Sequence, residues 1–214
     1  MAFLRREETV RALVLAAGLS RRMGEFKPLL PLRGATLIEN SVGSALAGGA
    51  ETATVVTGCR AEDVERVLSR AFGERVRFVR NEGYATTDML RSIQIGAAAL
   101  PTCDAFFLLP GDMPAVSPDT FRTLLDARRR APSGVIFPTL DGYRKHPPLI
   151  DARMLPAILS FDGAGGLREL WARLAGDVRT VPVEDAGVWV DVDTPRDYQQ
   201  CRQNYEGTET IKEA

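Results

Sequence analysis

The sequence has few of the residues that mark a disulfide scaffold or a nucleic-acid binder. Its 214 residues include three cysteines, Cys59, Cys103 and Cys201, which lie far apart and lack the spacing of a metal site. An odd number of scattered cysteines favours reduced thiols, as in a cytoplasmic protein. Lysine and arginine total 27 against 28 acidic residues, so the net charge is −1. Without a basic excess, we expect no binding to the phosphate backbone of nucleic acids.

Long hydrophobic runs are also missing. The apolar run from Ala12 to Ala17 is far too short for a membrane span or a secretion signal. We therefore expect no membrane association and a cytoplasmic location. Apolar residues at 45% and charged residues at 26% are instead typical of an ordinary globular protein with a substantial core.

Short apolar runs alternate with helical patterns along the chain. The predicted strands are Val10–Ala16, Thr52–Thr57, Val76–Val79, Ala105–Leu109, Gly134–Pro138, Val178–Val183 and Gly187–Val192. The predicted helices are Thr36–Ala47, Ala61–Phe72, Asp88–Leu100, one from the N-cap Ser117 towards Arg130, and one from Thr194 to near Asn204. This alternation predicts a single α/β domain with a mainly parallel sheet over residues 10–205. Residues 1–9 form a predicted N-terminal extension, and residues 206–214 a frayed tail.

The strongest motif follows the first predicted strand, where the string L-A-A-G-L-S-R-R-M-G-E-F-K begins at Leu15. Its small residues Ala16, Ala17 and Gly18 let the backbone approach a ligand. Consecutive amides in a tight loop bind anions, and phosphate is the natural guest. The string has neither the Walker spacing nor the glycine spacing of dinucleotide-binding folds, so it indicates a different phosphate-binding loop.

Basic side chains surround this loop. Arg21, Arg22 and Lys27 add positive charge, and charge-assisted hydrogen bonds to a phosphate are about twice as strong as neutral ones. Ser20 is a candidate to cap the loop. A strand-to-helix turn with solvated arginines is the alternative explanation of the same residues.

The whole string resembles the signature L-A-A-G-x-S-x-R-M-G-x-x-K of the nucleotidyltransferases that act on molybdenum cofactor, and every fixed position is present. The resemblance implies a Rossmann-like, glycosyltransferase-A-type three-layer α/β sandwich that binds a nucleoside triphosphate and Mg²⁺. The nucleotide contacts that it implies in this string are Leu15, Ala16, Ala17, Gly18, Ser20, Arg21 and Gly24. The catalytic residues that we expect are Lys27, Arg22 and Asp112.

Two acidic motifs contain the candidate metal ligands. Asp112 stands in G-D-M-P after a predicted buried strand, and the family has the same motif. Asp191 and Asp193 stand in W-V-D-V-D-T-P, where strand alternation predicts that both lie on one face. Mg²⁺ prefers such oxygen ligands, and a shared cation offsets the repulsion between neighbouring acids. The family pattern favours Asp193; alternatively Asp193 belongs to the following turn and Asp191 is a solvated edge residue. Asp197 is assigned to helix capping.

Four further side chains and one glycine are candidates by resemblance. Asn81 and Ser92 correspond to family residues near the nucleotide, although a loop asparagine and a helix serine need no ligand. His146, the only histidine, lies in R-K-H-P-P, where the family has G-H-P near the second substrate and here Lys145 replaces the glycine. Gly166 and Arg168 lie in a glycine-rich segment that loosely resembles the family's G-D-x-G-A/G-R, and we expect them to contact the second substrate.

The resemblance implies transfer of CMP from CTP to the phosphate of molybdenum-bound molybdopterin, with release of pyrophosphate. The L-A-A-G string and the His-Pro pair are typical of the cytidine-using branch. Three alternatives stay open: the same chemistry with GTP, the same chemistry on a sugar phosphate or methylerythritol phosphate, and a non-catalytic nucleotide-binding partner. In that last case the protein would deliver cofactor to a molybdenum hydroxylase, which is also the client that an active enzyme would serve.

Overall fold

The computed structural model describes residues 8–206, so most of the predicted extension and tail lies outside the described residues. The strands are β1 (Val10–Ala16), β2 (Pro31–Leu32), β3 (Ala35–Thr36), β4 (Thr52–Thr57), β5 (Val76–Arg80), β6 (Ala105–Pro110), β7 (Val135–Leu140), β8 (Tyr143–Arg144), β9 (Leu149–Asp151) and β10 (Val178–Pro182). The α-helices are α1 (Leu37–Ala47), α2 (Ala61–Phe72), α3 (Met89–Ala99), α4 (Pro118–Arg130), α5 (Leu155–Ser160), α6 (Gly166–Arg173) and α7 (Pro195–Glu206).

The central sheet has the strand order β10-β7-β9-β6-β1-β4-β5, with β8 paired to β7. The pairs β1/β4, β1/β6, β4/β5 and β7/β10 are parallel. Strand β9 lies antiparallel between β6 and β7, and β8 is antiparallel to β7. The predicted, mainly parallel sheet is confirmed, with an antiparallel insertion on one side.

Alternating burial along the strands explains why helices cover both faces of the sheet. Val14 and Leu109 belong to a core that includes residues of α1, α2 and α4. Leu13 and Leu108, their neighbours in sequence, belong to a second core with residues of α3, α5 and α6. Successive strand residues point to opposite faces, so each strand supplies both cores. The three-layer sandwich is therefore confirmed.

The helices begin where the sequence predicts. Thr36 and Glu39 form a capping box at the start of α1, and Ser117 caps α4. Asp197 accepts hydrogen bonds from the backbone N and the Oγ1 of Thr194, both at 2.8 Å, at the start of α7. The assignment of Asp197 to capping is thus confirmed. Within residues 8–206, no helix combines the length and the apolar character that crossing a bilayer requires.

One predicted strand is wrong. The range Gly187–Val192 contains the end of a 3-10 helix, Ala186–Trp189, followed by irregular chain. Asp185 caps this 3-10 helix by accepting a hydrogen bond from the backbone N of Gly187 at 2.8 Å. The strand β9 and the helix α5 were not predicted, and both are short elements in the second half of the chain.

The strand order places one edge of the sheet where ligands of α/β proteins bind. After β1 the chain continues through α1 to β4, whereas β6, on the other side of β1, is reached through α3 on the opposite face. Such a reversal leaves a crevice beyond the carboxyl ends of the two central strands. The loop after β1 and the motif after β6 both open into this crevice.

Candidate functional site

The loop after β1 is closed by its own hydrogen bonds. Oγ of Ser20 accepts from the backbone N of Lys27 at 3.1 Å, and the backbone N of Met23 donates to the carbonyl of Ser20 at 3.0 Å. Gly24 has a φ of +77°, which favours glycine. Ser20 therefore closes the loop as predicted, and it fixes where the Lys27 side chain starts.

Three carboxylates meet opposite this loop. One oxygen from each of Asp112, Asp191 and Asp193 lies within 4.8 Å of the others. Asp112 follows β6, while the other two follow the 3-10 helix Ala186–Trp189. The backbone N of Val192 donates to the carbonyl of Asp112 at 3.1 Å, which joins the two segments. The predicted meeting of acids from two distant parts of the chain is present in the fold.

Basic side chains from the loop neutralise part of this cluster. Nζ of Lys27 contacts Oδ2 of Asp112 and lies 3.0 Å from Oδ1 of Asp193. Nη2 of Arg22 lies 2.8 Å from Oδ2 of Asp193. Burial lowers the pKa of Lys27, but the two carboxylates outweigh it, and the net shift is upward. The lysine is therefore fully charged at neutral pH and bridges the acidic residues.

The carboxylates still have unused capacity, and this fits a divalent cation. Oδ1 of Asp112 is buried and receives no hydrogen bond from the described residues. Although Asp191 is exposed as a residue, burial of its carboxyl group and the charges of Asp112 and Asp193 raise its pKa to about 6. The cluster thus offers three carboxylates as oxygen ligands. One of them has an oxygen that accepts no hydrogen bond from the described residues, and another has a raised pKa. Such a group of ligands suits Mg²⁺ or a similar ion.

The repulsion in this cluster predicts a stabilising substitution. Asp191→Asn is expected to stabilise the metal-free protein at pH 8 by about 1 kcal/mol, or roughly 2–4 °C in Tm, after a discount for solvent exposure. A carboxyl group with a raised pKa in the folded state costs stability above that pKa, and the cost vanishes below the ordinary value near 3.8. The gain should therefore shrink between pH 8 and pH 4.5 in thermal melts with EDTA.

Asp193→Asn is the matched comparison for this prediction. It removes ion pairs with Lys27 and Arg22 rather than a net repulsion. Its Tm in EDTA should not rise above that of the parent. Equal gains in both variants would contradict the view that Asp191 is the strained member of the cluster.

A cavity of about 340 Å³ lies between the loop and the carboxylates, which we term the loop cavity. Its walls include nearly all the residues that the sequence predicted for nucleotide binding and catalysis: Leu15, Ala16, Ala17, Gly18, Ser20, Arg21, Arg22, Lys27, Ser92, Asp112 and Asp193. Tyr84, Thr87, Asp88 and Met89, from the segment after β5, also line it, and Pro28, Pro110 and Gly111 complete the wall. Gly24 and Asp191 lie close by in sequence without lining it.

Asn81 does not line the loop cavity but supports its wall. Its side chain is buried, and Nδ2 donates to Oγ of Ser92 at 3.0 Å and to Oγ1 of Thr87 at 2.9 Å. Its Oδ1 accepts from the backbone N of Gly83 at 3.1 Å. The structure thus gives Asn81 the task of orienting Ser92 and Thr87.

A second cavity of about 550 Å³ adjoins the first, and we term it the apolar cavity. The two cavities share Leu15, Met89 and Pro110. The predicted second-substrate residues His146, Gly166 and Arg168 all line the apolar cavity, together with Arg144, Leu90, Ile93, Leu108, Phe137, Pro148, Gly165, Leu167 and Trp171. Three residues chosen from two separate motifs are thus brought to one place.

His146 is a neutral side chain in this wall. Burial lowers its pKa, while the backbone of Leu108 and the charge of Asp112 act in the opposite direction without reversing the shift. Its Nδ1 is buried and has no hydrogen-bond partner among the described residues. A neutral, inward-packed imidazole is not positioned as a charged anchor, so the cations of the apolar cavity are Arg144 and Arg168.

Sequence reasoning missed Arg144 and Met89. Arg144 precedes the His-Pro pair by two residues, and alternation along an extended segment places positions 144 and 146 on one side. That signal was available once His146 was chosen. Met89 is 64% exposed at the first turn of α3 and lines both cavities, but nothing in its sequence context distinguishes it from an ordinary helix residue.

Comparisons with known proteins agree with this geometry. The chain is 30% identical to the molybdenum cofactor cytidylyltransferase of Escherichia coli (strain K12), over 92% of this chain and 97% of that protein. It is 33% identical to a protein of Paenarthrobacter nicotinovorans named nicotine blue oxidoreductase, over 86% of this chain and 92% of that one. Among solved structures, a nucleotidyl transferase from Methanothermobacter thermautotroptrophicus superposes with a TM-score of 0.79 at 31% identity, over 94% of this chain and all of that one.

A family assignment follows from these matches and from the site. Residues 12–178 match the family described as MobA-like NTP transferase domain. The match contains the loop after β1, Asp112 and both motifs that are predicted to contact the second substrate, and it ends before the segment of Asp191 and Asp193. The loop with the family signature, the three carboxylates and the two adjoining cavities lie together at this edge of the sheet. The chain is therefore a nucleotidyltransferase and belongs to the MobA-like NTP transferase family.

Proposed function

We propose that the protein transfers CMP from CTP to the phosphate of molybdenum-bound molybdopterin and releases pyrophosphate. The observation that carries this proposal is a phosphate-binding type of loop that faces three carboxylates and adjoins a second, largely apolar cavity. Transfer between two substrates needs two adjoining sites. It needs little covalent chemistry from the protein, because positioning and charge stabilisation dominate phosphoryl transfer.

The loop cavity is the proposed site of the triphosphate. Amides near Gly18 and the side chain of Arg21 supply hydrogen-bond donors and positive charge for the phosphates. Asp112, Asp191 and Asp193 would hold Mg²⁺, which when bound would neutralise charge on the triphosphate and the pyrophosphate. Ser92, oriented by Asn81, is the proposed contact to the base or the ribose.

Lys27 and Arg22 are the proposed catalytic side chains. An ionised oxygen of the acceptor's phosphate forms a bond to the α-phosphorus of CTP, and the bond from that phosphorus to the pyrophosphate oxygen breaks. Negative charge shifts onto the departing pyrophosphate, where Lys27, Arg22 and loop amides stabilise it. Because the attacking phosphate is already ionised at neutral pH, no general base is required, in agreement with a neutral His146.

The apolar cavity is the proposed site of the acceptor. Its walls Ile93, Phe137 and Trp171 suit the faces of a planar heterocycle, and Arg144 and Arg168 suit its anionic groups. A sugar phosphate would leave several hydroxyl groups against apolar walls, which is costly. The composition of this cavity therefore supports a pterin-type acceptor over a sugar phosphate.

The proposed base is cytosine. The L-A-A-G string at Leu15–Gly18 and the His-Pro pair support it, as does the similarity to a cytidylyltransferase over nearly the whole chain. GTP stays the alternative nucleotide. A non-catalytic nucleotide-binding partner of a molybdenum hydroxylase is the alternative from another class, but binding alone would not need Lys27 pinned between two carboxylates.

Pyrophosphate release tests the proposal. Purified protein with Mg²⁺ is mixed in turn with CTP, GTP, ATP and UTP, each with molybdenum-bound molybdopterin, a sugar phosphate or methylerythritol phosphate as the acceptor, next to Asp112→Ala and the surface control Asp126→Asn. We expect release with CTP and molybdenum-bound molybdopterin alone, lost in Asp112→Ala and kept in the control. Release with GTP alone would overturn the proposed base, and release only with a sugar phosphate or methylerythritol phosphate would overturn the acceptor. No release with any pair would favour the partner role.

Gly18→Ala is expected to raise the KM for CTP at least tenfold without changing Tm. A Cβ at Gly18 would meet no protein atom within 4 Å, and its backbone is not in the left-handed region. The fold itself therefore does not require glycine there. The new methyl group would instead stand where the phosphates approach the backbone. Steady-state kinetics and thermal melts separate the two effects, and an unchanged KM for CTP would place the triphosphate elsewhere.

A further inference from the structure

Two exposed aromatic rings contact each other beside the apolar cavity. Tyr143 is 64% exposed and Trp189 is 48% exposed, yet their ring centroids lie 5.9 Å apart with planes at 64°. Nζ of Lys145 lies over the Trp189 ring. We call Tyr143, Lys145 and Trp189 the Trp189 latch. None of the three lines either cavity.

The latch fixes one face of an extended segment whose other face forms the apolar cavity. Tyr143 and Lys145 share one side, because both contact the Trp189 ring. Arg144 and His146, on the other side, line the apolar cavity. The guanidinium of Arg144 lies 5.6 Å from the centre of the Phe137 ring in the same wall. The contacts of the outer side chains with Trp189 therefore set the direction in which Arg144 and His146 point.

The opposite half of the latch belongs to the segment that carries the carboxylates. Trp189 ends the 3-10 helix Ala186–Trp189 and precedes Asp191 by two residues. The backbone N of Val190 donates to the carbonyl of Gly187 at 3.1 Å, and that of Val192 to the carbonyl of Asp112 at 3.1 Å. The latch thus spans from the wall of the apolar cavity to the carboxylate cluster.

We propose that Trp189 is a positioning residue. Through its contacts with Tyr143 and Lys145 it keeps Arg144 and His146 at a fixed position relative to Asp191 and Asp193. The inference rests on the proposed function in so far as the apolar cavity takes the acceptor. The proposal also gives a role to Lys145, which replaces the glycine of the family's G-H-P motif. A glycine has no side chain that could lie over an indole ring, so a protein with glycine at this position would lack the contact that Lys145 makes with Trp189.

Substitutions of Lys145 separate this role from a general loss of structure. Lys145→Met removes the cation–π contact and should raise the KM for the acceptor about two- to fivefold, with the KM for CTP unchanged. Lys145→Arg keeps a cation over the ring and should behave as the parent. Trp189→Ala removes both contacts and should raise the acceptor KM about tenfold. Lys145→Met should add nothing further in the Trp189→Ala background.

Arg33→Met is the matched control, because the Arg33 guanidinium lies 4.7 Å from the Tyr205 ring centre, in a pair that lines neither cavity. Its acceptor KM should be that of the parent. Additive effects of Lys145→Met and Trp189→Ala, or failure of Lys145→Arg to restore the acceptor KM, would overturn the latch. Those outcomes would leave pyrophosphate release by the parent protein intact, so they are distinct from failure of the proposed function.

Hydrogen exchange of the ligand-free protein provides a readout that needs no substrate. In Trp189→Ala, amides in residues 141–146 and in residues 186–193 should both exchange faster, while β1 is unchanged. Faster exchange in only one of the two segments would overturn the coupling. Faster exchange in both, with an unchanged acceptor KM, would overturn the positioning role. If no acceptor supports turnover, the exchange rates of the two segments in Trp189→Ala test the proposal without kinetics.

Discussion

Replacing Asp112 by asparagine is expected to lower the rate of pyrophosphate release about 100- to 1000-fold while the protein stays folded. The amide keeps the shape of the carboxylate but carries no negative charge. Among the residues that the structure describes, Lys27 then retains only Asp193 as an anionic partner, and the cluster loses the carboxylate whose buried Oδ1 accepts no hydrogen bond from them. The loss should fall mainly on kcat, because the charge at Asp112 is needed where charge shifts during transfer.

A direct binding measurement makes this prediction specific. Mn²⁺, titrated in place of Mg²⁺ and followed by its paramagnetic resonance, should bind Asp112→Asn at least tenfold more weakly than the parent. Asp126→Asn, an exposed carboxylate on α4 paired with Arg129, should bind and turn over like the parent. An Asp112→Asn variant that retained a tenth or more of the parent rate would remove Asp112 from the catalytic centre.

Asp112 was predictable because its position depends on local signals. The run before it, Ala105–Pro110, is buried on both faces, and Gly111 and Asp112 end it abruptly. The fold then fixes Gly111 between neighbours: its N donates to the carbonyl of Leu15 at 2.9 Å, and Oγ of Ser41 donates to its carbonyl at 3.1 Å. The sequence shows the end of the strand, whereas these hydrogen bonds with β1 and α1 become visible only in the structure.

Short elements escaped prediction because non-local pairing creates them. Strand β9 has three residues, too few to show a period of two, and it exists because it pairs with β6 on one side and β7 on the other. Its insertion brings Pro148 beside Leu108 and so builds the wall that carries His146. A motif predicts that His146 lies near the second substrate, and alternation from His146 indicates Arg144, but the β7–β8 hairpin that carries Arg144 becomes visible only in the structure.

The segment at 187–192 shows how an alternating pattern can mislead. Val188, Val190 and Val192 alternate with other residues as in a strand, but Pro182 already ends β10, and no strand within residues 8–206 pairs with this segment. Local hydrogen bonds replace a ladder, because Asp185 caps the 3-10 helix and Val190 closes it. The two acids still reach Asp112, so their proximity to it was predicted from an element that does not form.

Gly187→Ala is expected to be the most damaging small substitution in this segment, with a loss of stability of about 1–3 kcal/mol and of Tm by several degrees. A Cβ at Gly187 would lie 1.9 Å from the carbonyl oxygen of Ala115, a backbone atom that no side-chain rotation can move. Asp185 ties the same turn to α4 by accepting from the backbone N of Ser117 and the Oγ1 of Thr120, at 2.8 and 2.7 Å. The chain at 186–193 and the loop after Asp112 would have to move apart.

That separation should damage the site as well as the fold, because the hydrogen bond from the backbone N of Val192 to the carbonyl of Asp112 holds the two acidic segments together. At a temperature where Gly187→Ala is still folded, its affinity for Mn²⁺ and its rate of pyrophosphate release should both be reduced. Gly176→Ala is the control, since a Cβ there meets nothing within 4 Å. Its stability and activity should match those of the parent. A Gly187→Ala protein with lower Tm but full metal affinity would show that the carboxylates keep their geometry without this contact, and the link between the two segments would then rest on side chains alone.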